Sequence, residues 1–229
     1  MSFSSTFMLD VQLQPGRPPM TSVDAGGDTA GWVADHRNAL RAVVTEHGSV
    51  LVRGLGLRAA DQVGVAFRRL AGDLMADREA FASRQASSDG VYSSTKWPSN
   101  QQMCMHHELS YRLEFPGLML FAYAFLNEWT LAEEVHEYLV DVYGPDGLPF
   151  NTRFGNGDPI GEDVVQEINR VYEANTAREP WRPGDLMLVD NIRTAHSRES
   201  YQGPREVLVG LADAVRLGDC SPTIEGTVR

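Results

Sequence analysis

Residues 184–199, GDLMLVDNIRTAHSRE, decide the fold prediction because they join an apolar segment directly to a polar run that contains a histidine. Residues 186–189 are all apolar, which is typical of a buried strand bounded by turn residues. His196 follows within the polar run, so we predict that it lies in a loop just past this strand. In that position its imidazole is available as a ligand.

Two adjacent histidines and a glutamate stand in residues 103–111, MCMHHELSY. We interpret residues 104–111 as a strand, in which successive side chains point to opposite faces. His106 and Glu108 then share one face, and His107 points to the other, where it supports the ligands or packs. A helix or a turn here would undo this pairing. By itself the tripeptide also fits a hydrogen-bonded polar cluster at a strand end.

Together His106, Glu108 and His196 form the ligand set of a 2-His-1-carboxylate metal site. Two imidazoles and one carboxylate leave coordination positions open for substrate and dioxygen. This set is typical of non-heme Fe(II) oxygenases. We therefore predict that these three residues bind iron.

An oxo-acid co-substrate, which would supply electrons to such an enzyme, needs a cation for its distal carboxylate. Arg205 stands at the head of the predicted strand REVLVGLAD and is our first choice. Arg193 and Arg198 flank His196 and compete with it. Arg193 could hold the loop or contact substrate, whereas Arg198 beside Glu199 favours a surface ion pair.

Asp190 and Asn191 end the strand that precedes the histidine loop. One interpretation is that they support the distal ligand and orient His196 by hydrogen bonding. The alternative, equally compatible with the sequence, is an Asx turn that ends the strand.

The remaining segments predict an α+β protein without repeats or a dividing linker. Helical spacing of apolar residues predicts helices over residues 29–48, 58–76, 130–144 and 161–176. Apolar runs bounded by turn residues predict strands over 49–56, 116–125, 183–191 and 205–213, and a short strand within 7–19. We expect one domain, residues 1–229.

The composition of the 229 residues is that of an ordinary soluble protein, with 42% hydrophobic and 22% charged residues. The net charge of −11 argues against nucleic acid and anionic membranes as partners. The two cysteines form no metal-type pair, which fits a reducing cytoplasm. We find neither a membrane-spanning apolar run nor a signal-peptide pattern, and we expect a cytoplasmic protein.

Three segments carry a family resemblance: HHELSY at 106–111, GDLMLVDNIRTAHSRE at 184–199 and GPREVLVGLAD at 203–213. Together they resemble the TauD/TfdA superfamily of Fe(II)/2-oxoglutarate dioxygenases, and within it the SyrP-type and clavaminate-synthase-like amino-acid hydroxylases of antibiotic biosynthesis. LVRGLG, DGVYSST and LNEWTL extend the likeness over most of the chain. The family pattern of H-x-D/E, a distant His and a later Arg falls on His106, Glu108, His196 and Arg205.

The resemblance implies a double-stranded β-helix (jelly-roll) core with flanking helices, and Fe(II) and 2-oxoglutarate as cofactors. It also implies that Arg205 pairs with the 5-carboxylate and that dioxygen is a co-substrate. Glu108 favours hydroxylation over halogenation, because halogenating relatives lack this carboxylate; desaturation, cyclisation and epoxidation stay open. The substrate implied is an amino acid, free or tethered to a carrier protein. The net charge of −11 weighs against broad attraction to an acidic carrier.

The chain departs from the family near residues 122–123, where relatives carry a longer stretch before the segment that corresponds to FLNEW. That stretch would include a small hydroxyl residue that helps to bind the oxo acid. Either the chain has truly lost this stretch, which weakens the jelly roll, or the stretch is missing from the sequence and the residues on its two sides are numbered consecutively. The close match to the family on both sides favours the second explanation.

Two other classes of protein with a jelly-roll core are alternative interpretations of this sequence. A cupin-like hydrolase or isomerase would place Zn(II) or Mn(II) on the same three ligands without needing Arg205. A non-catalytic small-molecule-binding jelly roll would keep the fold and bind no iron. The joint pattern of three ligands and an arginine favours the oxygenase.

Overall fold

The computed structural model describes residues 9–76, 86–88, 90–94, 100, 102–124, 154, 156–203 and 205–220. Its elements in chain order are β1 (Met20–Ser22), α1 (Thr29–His47), β2 (Ser49–Arg53), α2 (Ala60–Leu70), β3 (Ala86–Ser88), β4 (Val91–Ser93), β5 (Met103–His106), β6 (Glu114–Ala124), α3 (Glu162–Ala174), β7 (Leu186–Asp190), β8 (His196–Arg198) and β9 (Glu206–Arg216). The predicted α+β class and its helices over 29–48 and 161–176 are confirmed. The predicted helix over 130–144 lies outside the described residues.

Contacts divide the chain into two units, residues 1–128 with 178–229 and residues 129–177. The first unit holds α1, α2 and the nine strands, and the second holds α3. Within the described residues, no helix combines the length and hydropathy of a membrane span. The single domain expected from the sequence stays a prediction.

Helix α1 has a signal at each end. At its start the Asp28 carboxylate accepts a hydrogen bond from the Gly31 N–H, and at its end Gly48 has φ of 85°. Glycine adopts this left-handed conformation without the steric cost of a Cβ, which is why the helix stops there. The amide of Gly48 donates to the Val44 carbonyl and closes the last turn.

Helix α2 is shorter than the predicted helix over 58–76, because the chain turns to an extended conformation at Ala71. Beyond it Leu74 forms a β-bridge with Ala212, and the Met75 N–H donates to the Leu211 carbonyl. Pairing with the sheet therefore competes successfully with the helical pattern. The short strand predicted within 7–19 is wrong for the described residues 9–19, which form only a bridge from Gln12 to Met20.

The larger sheet has seven strands in the order β1-β2-β7-β6-β9-β4-β3, and it is antiparallel except for the parallel pair β1 and β2. Side chains alternate between its faces. Along β6, Leu118 and Leu120 face the core shared with α1 and α2, whereas Met119 and Phe121 face the opposite side. The predicted buried strands over 49–56, 116–125, 183–191 and 205–213 are confirmed as β2, β6, β7 and β9.

Strand β6 crosses the region near residues 122–123 without a break. It pairs with β7 as far as Ala122 and with β9 as far as Ala124.

A second sheet of two strands, β5 and β8, carries the two predicted histidine ligands, His106 and His196. The ring of His196, in β8, contacts the ring of Phe121. Because Phe121 lies on the face opposite α1 and α2, the small sheet and the helices lie on opposite sides of the large sheet. This arrangement places the candidate site on the face of the large sheet opposite α1 and α2.

Candidate metal centre

The predicted strand over 104–111 is wrong beyond His106. β5 ends at His106, and residues 108–111 form a turn, in which Leu109 has φ of 53°. His106 and Glu108 nevertheless meet, with 4.0 Å between Nε2 and Oε2. The two side chains therefore meet although residue 107 lies outside β5 and Glu108 stands at the start of the turn.

Hydrogen bonding sets the tautomer of His106. Its Nδ1 lies 2.9 Å from the Cys104 carbonyl oxygen, which can only accept, so Nδ1 carries the proton. Nε2, the atom that faces Glu108, then has a lone pair free for a metal ion. A backbone carbonyl that orients a ligating histidine in this way is common in metal proteins.

His196 begins the short strand β8, so the prediction that it lies in a loop is wrong. β8 forms because the polar run pairs with β5, with His196 opposite His106. The two imidazole centroids are 4.4 Å apart, and the ring of Phe121 lies edge-on to His196 at 5.2 Å. Strand pairing thus brings both histidines to one place.

One ligand atom each from His106, Glu108 and His196 all lie within 4.8 Å of one another. Bonds of about 2.1 Å to a shared ion would place such atoms at most about 4.2 Å apart. The set therefore needs only a small contraction to hold an ion. Two imidazole nitrogens and one carboxylate oxygen also fit Fe(II) chemically.

Asn191 and His107 support the turn that carries Glu108. The Asn191 side chain accepts from the Glu108 N–H at 2.7 Å and donates to the carbonyls of Glu108 at 3.0 Å and Pro116 at 2.8 Å. His107 Nδ1 lies 2.6 Å from the Asn191 carbonyl and donates to it. The described contacts of the Asn191 side chain thus go to Glu108 and Pro116, although the sequence suggested a partner at the distal histidine.

Asp190 and Arg193 lie on the side of the large sheet that faces α1 and α2. Asp190 pairs with Leu118, whose side chain faces the helices, and its carboxylate accepts from the N–H groups of Ile192 and Arg193. This is the Asx-turn alternative. The Arg193 guanidinium donates to the Thr45 carbonyl in the last turns of α1, so it holds the loop.

Arg198 and Arg205 both lie over the ring of Tyr201, at 4.9 and 4.6 Å from its centroid. Burial lowers the pKa of Arg205; Tyr201 opposes this effect, and the nearby Arg198 charge adds to it. Within the described chain, no carboxylate lies within ion-pair distance of Arg205. Glu199, the partner expected for Arg198, is paired with Arg178 at 2.8 Å.

Phe121, Tyr201 and the Cys104 carbonyl contribute to the site although sequence reasoning did not select them. Phe121 belongs to an apolar run, in which the residue types do not indicate which side chains face the site. Tyr201 stands in a polar run, and a backbone carbonyl has no sequence signal. Only strand register would have identified Phe121 in advance.

Residues 127–211 match the model of the family described as taurine catabolism dioxygenase TauD, TfdA family. The chain is similar to this family over that segment, which is less than half of its length. It is 35% identical over 81 residues to the dapdiamide synthesis protein DdaC of Enterobacter agglomerans, and 40% identical over 58 residues to a clavaminate synthase-like protein of Arabidopsis thaliana. These matches cover 35% and 25% of the chain but only 25% and 18% of the two relatives.

Several solved structures share the fold. PvcB of Pseudomonas aeruginosa superposes with a TM-score of 0.55 at 15% identity over 89% of each chain. A second PvcB structure, described as an Fe, alpha-ketoglutarate dependent oxygenase from an isonitrile synthetic pathway, has the same TM-score at 14% identity, again over 89% of each chain. AAD-2, in complex with Mn(II) and N-oxalylglycine, has a TM-score of 0.50 at 13% identity over 90% of this chain and 97% of its own. The predicted double-stranded β-helix and the family resemblance are confirmed.

Proposed function

We propose that this chain is a non-heme Fe(II)/2-oxoglutarate-dependent oxygenase that hydroxylates an unactivated C–H bond of an amino acid. The observation that carries the proposal is the convergence of His106, Glu108 and His196 within 4.8 Å on the face of the large sheet opposite α1 and α2. These donors leave positions open on a bound ion, as oxygenase chemistry requires. The similarity of residues 127–211 to the taurine catabolism dioxygenase TauD, TfdA family supports the same reaction class.

Each residue has a defined task. His106 offers Nε2 to the metal while its Nδ1–H is held by the Cys104 carbonyl. Glu108, whose side chain is only 13% exposed, supplies the carboxylate. Phe121 restricts the ring of His196 by an edge-on contact. When bound, Fe(II) and 2-oxoglutarate supply the oxidation of the C–H bond with dioxygen.

Arg205 is the residue that we assign to the distal carboxylate of 2-oxoglutarate. Its guanidinium is half-buried against Tyr201 and has no carboxylate partner in the described chain. A buried cation without a counter-ion is costly, and an anionic ligand would remove that cost. Arg198 on the same ring adds positive charge at this place.

The substrate class rests on resemblance. DdaC is named for dapdiamide synthesis and PvcB for an isonitrile synthetic pathway, and both names support a role in natural-product biosynthesis. We propose an amino-acid substrate, free or carrier-tethered. The net charge of −11 favours the free form, because an acidic carrier would be repelled.

An anaerobic titration of the metal-free protein with Fe(II) and 2-oxoglutarate tests the proposal. We expect a weak visible charge-transfer band that requires both components and is missing in His196→Ala. Metal binding without the band would favour hydrolase or isomerase chemistry. A folded protein that binds no Fe(II) at a defined site would favour a non-catalytic binding protein.

A further inference from the structure

We propose that Asn191 is a positioning residue that presets the Glu108 carboxylate for the metal, an inference that rests on the proposed function. Asn191 follows the last residue of β7, and its side chain bridges that strand end to the turn at Glu108 and to Pro116 in β6. It is only 2% exposed. We call these three side-chain hydrogen bonds the Asn191 clasp.

The Asn191 clasp fixes both backbone polar groups of Glu108. The N–H donates to Asn191 Oδ1, and the carbonyl accepts from Asn191 Nδ2. With both groups held, the direction of the Cα–Cβ bond of Glu108 is determined. The preceding residue is held as well, because His107 donates to the Asn191 carbonyl at 2.6 Å.

The residue after Glu108 shows that this turn is imposed by its surroundings. Leu109 has φ of 53°, a left-handed conformation that costs a β-carbon-bearing residue about 1 kcal/mol or more. Its side chain packs against the apolar cluster of Met119, Val189, Val209 and Leu211. Packing and the Asn191 clasp therefore maintain a backbone that the local sequence does not prefer.

Asparagine suits this position because it has an acceptor and two donors in one planar group, and all three functions are used. Alanine would remove all three bonds. Aspartate would keep the bond from the Glu108 N–H but would place a second carboxylate oxygen against the carbonyls of Glu108 and Pro116. A loosened turn would spread the Glu108 carboxylate over several positions, which weakens a site that depends on it.

The test compares Asn191→Ala with Thr29→Ala, using Co(II) as the probe. Thr29 also donates a side-chain hydrogen bond to a backbone carbonyl, that of Leu55, but at the start of α1 on the helix side. We expect Asn191→Ala to raise the Kd for Co(II) about 10- to 100-fold and to alter its visible spectrum. Thr29→Ala should change the Kd by less than about twofold, because distant sites act independently.

Amide hydrogen exchange gives a readout that does not depend on metal. In Asn191→Ala, exchange should accelerate in peptides covering residues 106–118 and stay unchanged over α1, whereas Thr29→Ala should not affect 106–118. Asn191→Asp, which keeps the side-chain shape, provides the same two measurements if the alanine variant does not fold, with the same expected directions.

Unchanged Co(II) affinity in folded Asn191 variants, or an equal loss in Thr29→Ala, would overturn the positioning role. Absence of Co(II) binding by the wild-type protein would instead overturn the proposed function. In that case hydrogen exchange alone would test the Asn191 clasp: faster exchange over residues 106–118 in Asn191→Ala would support it, and unchanged exchange would overturn it.

Discussion

Adjacent histidines with different tasks illustrate how one hydrogen bond assigns a role to a side chain. His106 Nδ1 donates to the Cys104 carbonyl, which leaves Nε2 facing Glu108. His107 instead turns its Nδ1 towards the Asn191 carbonyl. We therefore propose a ligand role for His106 and a supporting role for His107.

Alanine variants separate these two roles. We expect His106→Ala and His196→Ala each to abolish Fe(II) binding, because each removes one of three ligands. His107→Ala should largely spare Fe(II) binding, because it removes no ligand and leaves the side-chain hydrogen bonds from Asn191 to the Glu108 backbone in place. Isothermal titration under anaerobic conditions measures all three. Equal loss in the three variants would contradict the assignment.

Arg205 can be tested through 2-oxoglutarate affinity. A charge-assisted hydrogen bond contributes about 1.5–3 kcal/mol, so Arg205→Gln should raise the Kd for 2-oxoglutarate about 10- to 100-fold. Arg205→Lys should recover part of the affinity, because it restores the charge without the planar fork. Quenching of intrinsic fluorescence in the presence of Mn(II) measures the Kd.

A matched control is Arg216→Gln. Arg216 is also in the β9 region but is 73% exposed and pairs with Glu114. It should leave the Kd unchanged. A similar Kd in Arg205→Gln and Arg216→Gln would show that the distal carboxylate is held elsewhere.

At the scale of elements, the end of α1 supports the loop that leads to His196. The carbonyl of Gly48 accepts from the Asp190 N–H at 2.8 Å and from the Thr194 hydroxyl at 3.2 Å. The Arg193 guanidinium donates to the Thr45 carbonyl. Donors from the loop thus satisfy carbonyl groups at a helix end that would otherwise lack partners.

Gly48→Ala tests this support by urea unfolding. Its φ of 85° penalises alanine by about 1 kcal/mol, and the new Cβ would lie 2.3 Å from Thr194 Oγ1. Thr194 must then rotate and lose its hydrogen bond, so we expect a total cost of about 2–3 kcal/mol in the free energy of unfolding.

Gly16→Ala is the matched control, because Gly16 has φ of 72° and no atom within 4 Å of the new Cβ. It should cost only about 1 kcal/mol. In the Gly48→Ala background, Thr194→Ala should add little, because the contact is already broken. Additive costs would indicate that the helix end and the loop are not coupled.

Sequence patterns predicted those elements whose formation depends on a local feature of the sequence, such as an apolar run or a helix cap. The apolar runs of β6, β7 and β9 and the capped helix α1 are of this kind. The turn at Glu108 and the strand β8 were missed because distant partners create them: Asn191 holds the first, and β5 pairs with the second. Residue types thus indicated the candidate ligands. The backbone conformation that brings these ligands together depends on tertiary contacts.

At the scale of the molecule, the candidate metal site joins parts of the chain that are far apart in sequence. His106 and Glu108 come from β5 and the turn after it, and His196 comes from β8. The large sheet contacts this group through Phe121, whose ring meets the ring of His196. An ion held by all three side chains would link these parts only in the folded protein. Metal binding should therefore be coupled to stability.

Thermal unfolding with Mn(II) measures this coupling without turnover. At a free Mn(II) concentration 100 times the Kd, binding to the folded state alone stabilises it by about 2.7 kcal/mol. For a chain of this size we expect the Tm to rise by about 5–10 °C, and to fall back when a chelator removes the metal. Glu108→Ala and His196→Ala should show no rise, whereas Arg205→Gln should show the full one, because Arg205 is assigned to the oxo acid and not to the metal. A rise that survives loss of Glu108 or His196 would place the stabilising ion at a different site.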